Sequence, residues 1–158
     1  MDLDSTVAAL APRLVAYATG RTGCRSTGED VAQEALVALV SRWRLFGPPE
    51  SPEAFAFAIA RRRAGRAVTR RALTRPIDWI MGARATDNGI ESYERRDELQ
   101  AVLGTMKRLR RADREVLLLQ AAGELSLNEI AAVTGASVAA VKMRLQRARV
   151  RLTQLLEE

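Results

Sequence analysis

The 158-residue chain has no histidine, a single cysteine and few aromatic residues. Without imidazole it lacks the commonest general base, the Ser-His and Cys-His pairs of nucleophilic catalysis, and the commonest metal ligand. One thiol, Cys24, can neither close an internal disulfide nor build a thiolate metal cage. Aromatics make up 4% while Ala, Leu, Val and Arg abound, a balance that favours helices over strands. Long apolar runs are missing as well. Nothing approaches the roughly 20 residues of a membrane span, and the N-terminus has no basic-then-apolar export pattern. These absences predict a cytoplasmic protein with no membrane insertion, no metal, no cofactor, no small-molecule substrate and no catalytic activity of its own.

Charge is what the chain has in excess: 25 Lys and Arg against 19 Asp and Glu, net +6. Only Lys107 and Lys142 are lysines; the rest of the basic set is arginine. The total is a weak signal, because Arg and Ala also rise with coding bias. Its distribution says more. Residues 1–60 are net −2, residues 61–76 carry 7 arginines and no acid, residues 77–96 are net −1, and residues 97–158 net +2. A local positive tract is what a phosphate-facing surface requires.

Apolar spacing supplies the helices. Val7, Leu10, Leu14 and Tyr17 form one stripe, with Pro12 expected to kink or restart the helix. Gly20, Gly23 and Gly28 mark a loop, and Thr27 is the expected N-cap of a helix over residues 28–46. Val31, Ala35, Leu39 and Trp43 are its core stripe; Asp30, Gln33, Glu34, Val37 and Ser41 share another face. A third helix starts at Pro52 and runs through Phe55 and Phe57 into the arginine tract. Pro76, Gly82 and Thr86-Asp87-Asn88-Gly89 point to a linker over residues 73–92. Within it Trp79-Ile80-Met81 needs a surface to dock on. Further helices follow, with Leu99, Val102, Leu103, Met106 and Leu109 as one stripe and Val116 to Leu119 as another. The expected fold is all-α. Two small helical domains, residues 1–72 and 93–158, are joined by a flexible linker, and the second is a helix-turn-helix.

The sharpest pattern lies between Ser126 and Leu152. Ser126-Leu127-Asn128-Glu129 is a capping box, Gly135 suits a left-handed turn, and Ser137 is ready to cap the next helix. A helix, a short Gly-containing turn and a helix make the helix-turn-helix pattern. In the second helix Val138, Val141, Leu145, Ala148 and Leu152 define the buried stripe. Ala139, Met143, Gln146 and Arg147 lie opposite, flanked by Lys142 and Arg149 on one side and Arg144 and Arg151 on the other. That suits a helix in a major groove, with central side chains at base edges and cations at the phosphate walls. Arg147 is matched to guanine and Gln146 to adenine. A solvated amphipathic helix is the plainer alternative. Five cations without an acid from Ser137 to Leu156 favour DNA.

The ordered motifs resemble those of extracytoplasmic-function sigma factors. In the C-terminal part these are Arg114-Glu115-Val116-Leu117, Gly123, Ser126, Glu129-Ile130-Ala131 and the run from Val141 to Arg149. In the N-terminal part they are Ala11-Pro12-Arg13-Leu14, the run from Glu29 to Glu34, Trp43, Ile59-Ala60-Arg61 and Arg70-Arg71. The resemblance implies a promoter-specificity subunit with core RNA polymerase (clamp helices and flap), promoter DNA and an anti-sigma factor as partners. It implies polymerase docking by Asp30, Gln33 and Glu34. It implies engagement of the minus-ten element by Phe46, Arg61, Arg62, Arg63, Arg66, Arg70 and Arg71. Reading of the minus-thirty-five element falls to Ser137, Lys142, Met143, Arg144, Gln146, Arg147 and Arg149. The family often has Trp and Tyr at the positions of Phe55 and Phe57, Asn at Arg62, Pro at Arg110 and Ser at Met143. A stand-alone helix-turn-helix regulator, binding duplex DNA without polymerase, is the competing reading; a helical adaptor that binds only protein is a third.

Overall fold

The computed structural model describes the backbone of residues 2–81 and 90–158, and the side chains of residues 2–73, 97, 98 and 100–158. The described secondary structure is seven helices: α1 (Leu3–Thr22), α2 (Arg25–Phe46), α3 (Pro52–Met81), α4 (Ile90–Met106), α5 (Arg111–Ala121), α6 (Leu127–Thr134) and α7 (Val138–Glu157). The first three form a bundle around Leu10, Leu14, Tyr17, Val31, Ala35, Leu39, Phe57 and Ala60, all buried. Each fully buried Leu or Phe contributes roughly 1.5–3 kcal/mol by leaving water. Among α4 to α7 the core is Val116, Leu119, Ile130, Val141 and Leu145, with Leu109, Ala148 and Leu155 as a smaller cluster.

Several expectations about boundaries are corrected. Pro12 neither breaks nor restarts α1. Its missing N–H deprives only the Ala8 carbonyl, and both residues are exposed, so water can replace the lost bond. Thr27 is not an N-cap. Gly23 closes α1 with φ 73° and its N–H on the Thr19 carbonyl, and α2 starts two residues later with Cys24 at its cap. Turning the chain that early puts Thr27, Glu29 and Asp30 inside the helix. Helix α3 passes through Pro76 to Met81 and α4 begins at Ile90, while Gly82 and the expected turn over residues 86–89 lie outside the described residues. The side chains of Trp79, Ile80, Met81 and Leu99 lie outside the described residues.

The halves are also packed together. One buried cluster runs from Leu10 through Phe57 to Val116, Leu119 and Val141. Tyr17 and Phe57 meet edge-on at 5.7 Å, and across the junction α5 packs on α1 and α6 on α3. A Cβ on Gly123 would come within 2.6 Å of the Leu119 carbonyl oxygen and 2.9 Å of the Phe57 ring, so only glycine permits this approach. Arg13 donates from Nε to the Gly123 carbonyl at 2.9 Å and stacks over Phe57.

Candidate nucleic-acid interface

Residues 126–152 form the expected helix-turn-helix. The Ser126 hydroxyl accepts from the Glu129 N–H, and the Glu129 carboxylate accepts from the Ser126 N–H. Gly135 ends α6 at φ 74°, and the Ser137 hydroxyl caps α7 by accepting from the Ala140 N–H. These local bonds fix where the two helices start and stop, and so the angle at which α7 is presented. Val141, Leu145 and Ala148 are buried; Ala139, Lys142, Met143, Gln146 and Arg147 face outward.

The outward arginines are not equivalent. Arg147 pairs through Nη2 with the buried Asp113 carboxylate at 3.0 Å, yet its side chain stays 49% exposed. Arg149 donates to Gln120 Oε1. Arg144 is only half-exposed and turns toward α1 and α3, lining the junction between the halves. Its place beside the outward face could be read from helical spacing; its direction depends on the neighbouring half.

Helix α3 sorts its arginines in the same way. At about 100° per residue, Arg62, Arg63, Arg66 and Arg70 fall within roughly 100° of arc, opposite the buried Ala60 and Ala64. All four are exposed, and Arg63 reaches Glu34 at 3.3 Å. Arg61 and Arg71 point back toward the fold. Arg61 lies 3.4 Å from Glu115, and Arg71 donates to the Thr22 carbonyl at the negative end of the α1 dipole. Phe57 is fully buried, and Phe55 packs half-buried against the core. Phe46 is the exposed aromatic, 76% accessible, with the Arg42 guanidinium 5.4 Å from its ring centre. Leu45 beside it is 74% exposed, a neighbour that helical spacing alone did not single out.

Asp30, Gln33 and Glu34 are all exposed on α2. The sequence presents them as a polar face. In three dimensions Gln33 borders a groove of about 480 Å³ whose walls include Val15, Leu36, Val37, Val40 and Arg44. The apolar floor was partly legible, since Val37 shares the face by spacing; Val15 comes from α1 and needed the tertiary structure.

Residues 6–74 match the family Sigma-70 region 2, and residues 99–152 match Sigma-70, region 4. The chain is 28% identical to the ECF RNA polymerase sigma factor EcfG of Rhodopseudomonas palustris (strain TIE-1), across 98% of this chain and 84% of that protein. It is 26% identical to the ECF RNA polymerase sigma factor RpoE of Cereibacter sphaeroides, across 91% of this chain and 80% of that one. The chain belongs to the extracytoplasmic-function (ECF) RNA polymerase sigma factors. CnrH, solved in complex with the cytosolic domain of CnrY, superposes with a TM-score of 0.75 at 28% identity, covering 98% of this sigma factor and 87% of that chain. RpoE from Bartonella quintana, solved with the anti-sigma factor NepR, gives 0.70 at 23%, covering 98% and 96%, a likeness of fold. As a sigma factor the protein binds core RNA polymerase and directs it to promoters. Matches at both ends in order leave the stand-alone regulator unfavoured. Among the described residues no helix is long and apolar enough to cross a membrane.

Cys24 of this sigma factor occupies the α2 N-terminus, half-exposed, with Sγ 3.5 Å from the Ser26 hydroxyl. Burial acts to raise its pKa, but hydrogen bonding with Ser26 and Thr27 outweighs burial and lowers it from 9.0 to about 7. Alkylation by iodoacetamide should therefore rise with pH to a midpoint near 7, since the thiolate is the nucleophile. A midpoint close to 9 would show that these hydrogen bonds do not form in solution.

Proposed function

We propose that this sigma factor reads the upstream, minus-thirty-five element with α7 and engages the downstream, minus-ten element with α3. On α7 the readers are Lys142, Met143, Arg144, Gln146 and Arg147, with Ser137 and Arg149 holding phosphates. On α3 the cations Arg61, Arg62, Arg63, Arg66, Arg70 and Arg71 hold the backbone, with Phe46 as the exposed surface for an unstacked base. Core polymerase docks on α2 through Asp30, Gln33 and Glu34. The protein works in the cytoplasm, catalyses nothing itself, and is held by an anti-sigma factor when silent. The observation that carries this reading is the outward face of α7, fixed by a capped turn and free of acid.

Reading both elements requires the halves to separate. Twenty-five base pairs of duplex span about 85 Å, whereas a compact chain of this length has a radius of gyration of only about 15 Å. The packed arrangement is thus a resting state, in which Arg61 and Arg144 both face the junction.

Run-off transcription with core polymerase tests the whole reading. A promoter selected from random DNA should yield a discrete transcript that depends on this chain; failure at every selected sequence would sink it. For a single residue, Arg147→Ala should cost on the order of 1–3 kcal/mol at one base pair. The same change also leaves Asp113 unpaired, but that loss weakens binding to all sequences alike. Unaltered base preference in a panel of site variants would remove Arg147 from direct readout.

A further inference from the structure

The junction between the halves forms a cleft, open to solvent on one side, of about 400 Å³, within the usual range for small-ligand sites. Four arginines line it: Arg21 from α1, Arg61 from α3, Arg111 from α5 and Arg144 from α7. The lining holds one carboxylate, Glu115, so the wall carries a formal +3. That carboxylate is already engaged: it accepts from the Tyr17 hydroxyl and lies 2.6 Å from Arg21 Nε and 3.4 Å from Arg61 Nε. Both Nε atoms are buried, and neither is aligned for a hydrogen bond despite the short separation. Among the described residues Arg111 and Arg144 have no ion-pair partner. Beside Glu115 in the chain, Arg114 has its pKa lowered by burial first, then by the charge of Arg21, with Glu115 opposing and Arg111 adding to the shift.

We propose that this cleft binds a small polyphosphate anion, either inorganic diphosphate or a nucleotide polyphosphate. Guanidinium groups match phosphate oxygens with paired, charge-assisted hydrogen bonds, and four of them converge here. A single phosphate group carries roughly −1.5 to −2, too little for a wall of this charge; two linked phosphates match it. The walls come from both halves, so the cleft exists only while they are packed together. By linkage, a bound anion stabilises that packed state and withholds Arg61 and Arg144 from DNA.

Titration calorimetry on the full chain at fixed ionic strength tests the site, with sodium pyrophosphate and GTP as probes and sodium sulfate as comparison. Pyrophosphate should bind at least tenfold more tightly than sulfate and raise the melting temperature. Tighter binding of GTP would assign the site to nucleotides; equal or weaker binding would assign it to inorganic diphosphate. Arg111→Glu should weaken pyrophosphate at least tenfold while helicity is kept, since Arg111 is exposed at the start of α5. Ala112→Glu, which adds a carboxylate to the wall and removes no contact, should do the same. Parity with sulfate, or undiminished binding in both variants, would overturn the proposal. Because neither polymerase nor promoter is present, failure here leaves the transcriptional reading untouched.

Discussion

Glu115→Ala should release the two halves from one another. Glu115 and Arg21 are each more than nine-tenths buried, and removing one partner of a buried pair leaves a desolvated charge behind, a loss of about 3–5 kcal/mol. Tyr17 loses its acceptor in the same step. The chain has a cheaper response than unfolding, because Arg21 and Tyr17 sit at the junction. Parting the halves rehydrates them and leaves the three-helix bundle of α1 to α3 formed. The expected result is a larger radius of gyration by small-angle scattering with most of the helical circular dichroism retained. Replacing the buried set together, Tyr17→Phe, Arg21→Met and Glu115→Leu, should restore compactness, since apolar groups carry no desolvation cost and no hydroxyl is left without its acceptor. A Glu115→Ala chain as compact as the parent would show that this network does not hold the junction. There is a pH counterpart. Burial, and then the Glu115 charge, raise the Tyr17 pKa well above 10.0. The phenol therefore stays protonated in the folded state; its contribution is complete below pH 10 and is lost as the pH rises through the folded value.

Reversing charge at Asp30 and Glu34 together should lower affinity for core polymerase by roughly 100-fold, about 2.7 kcal/mol. Folding should hardly notice. Asp30 is exposed, and among the described residues Glu34 forms an ion pair with Arg63 alone, a half-exposed surface pair of the kind that contributes about 0.2–1 kcal/mol. Thermal melts separate the two effects, and fluorescence titration of labelled sigma factor with core polymerase reads the first. Affinity equal to the parent would place the docking surface elsewhere. The apolar groove beside these residues, with Val37 59% exposed, is then the next surface to vary.

Much of the architecture was legible in the chain because its signals are local. The capping box at Ser126, the left-handed Gly135 and the Ser137 cap all act within four residues, and each appears where the sequence puts it. Helical stripes such as Leu10, Leu14 and Tyr17, or Val141, Leu145 and Ala148, depend only on 3.6-residue periodicity. Proline and glycine were less reliable guides. Pro12 and Pro76 both lie inside helices, and two residues after Gly23 suffice to start α2. A lone proline costs a helix one bond, and surrounding turns can absorb that loss.

Spacing and residue type alone determined an all-helical chain with an outward, acid-free cationic face on α7, an arginine-rich α3 and an acidic face on α2. Tertiary structure decided how the halves meet: that Glu115 is buried among Tyr17, Arg21 and Arg61, that Arg144 turns inward, and that Gly123 lets Phe57 approach. The reason is sequence distance. Tyr17 and Glu115 are separated by 98 positions, and no periodicity or capping rule reaches that far. Only the packing of one half on the other makes them neighbours.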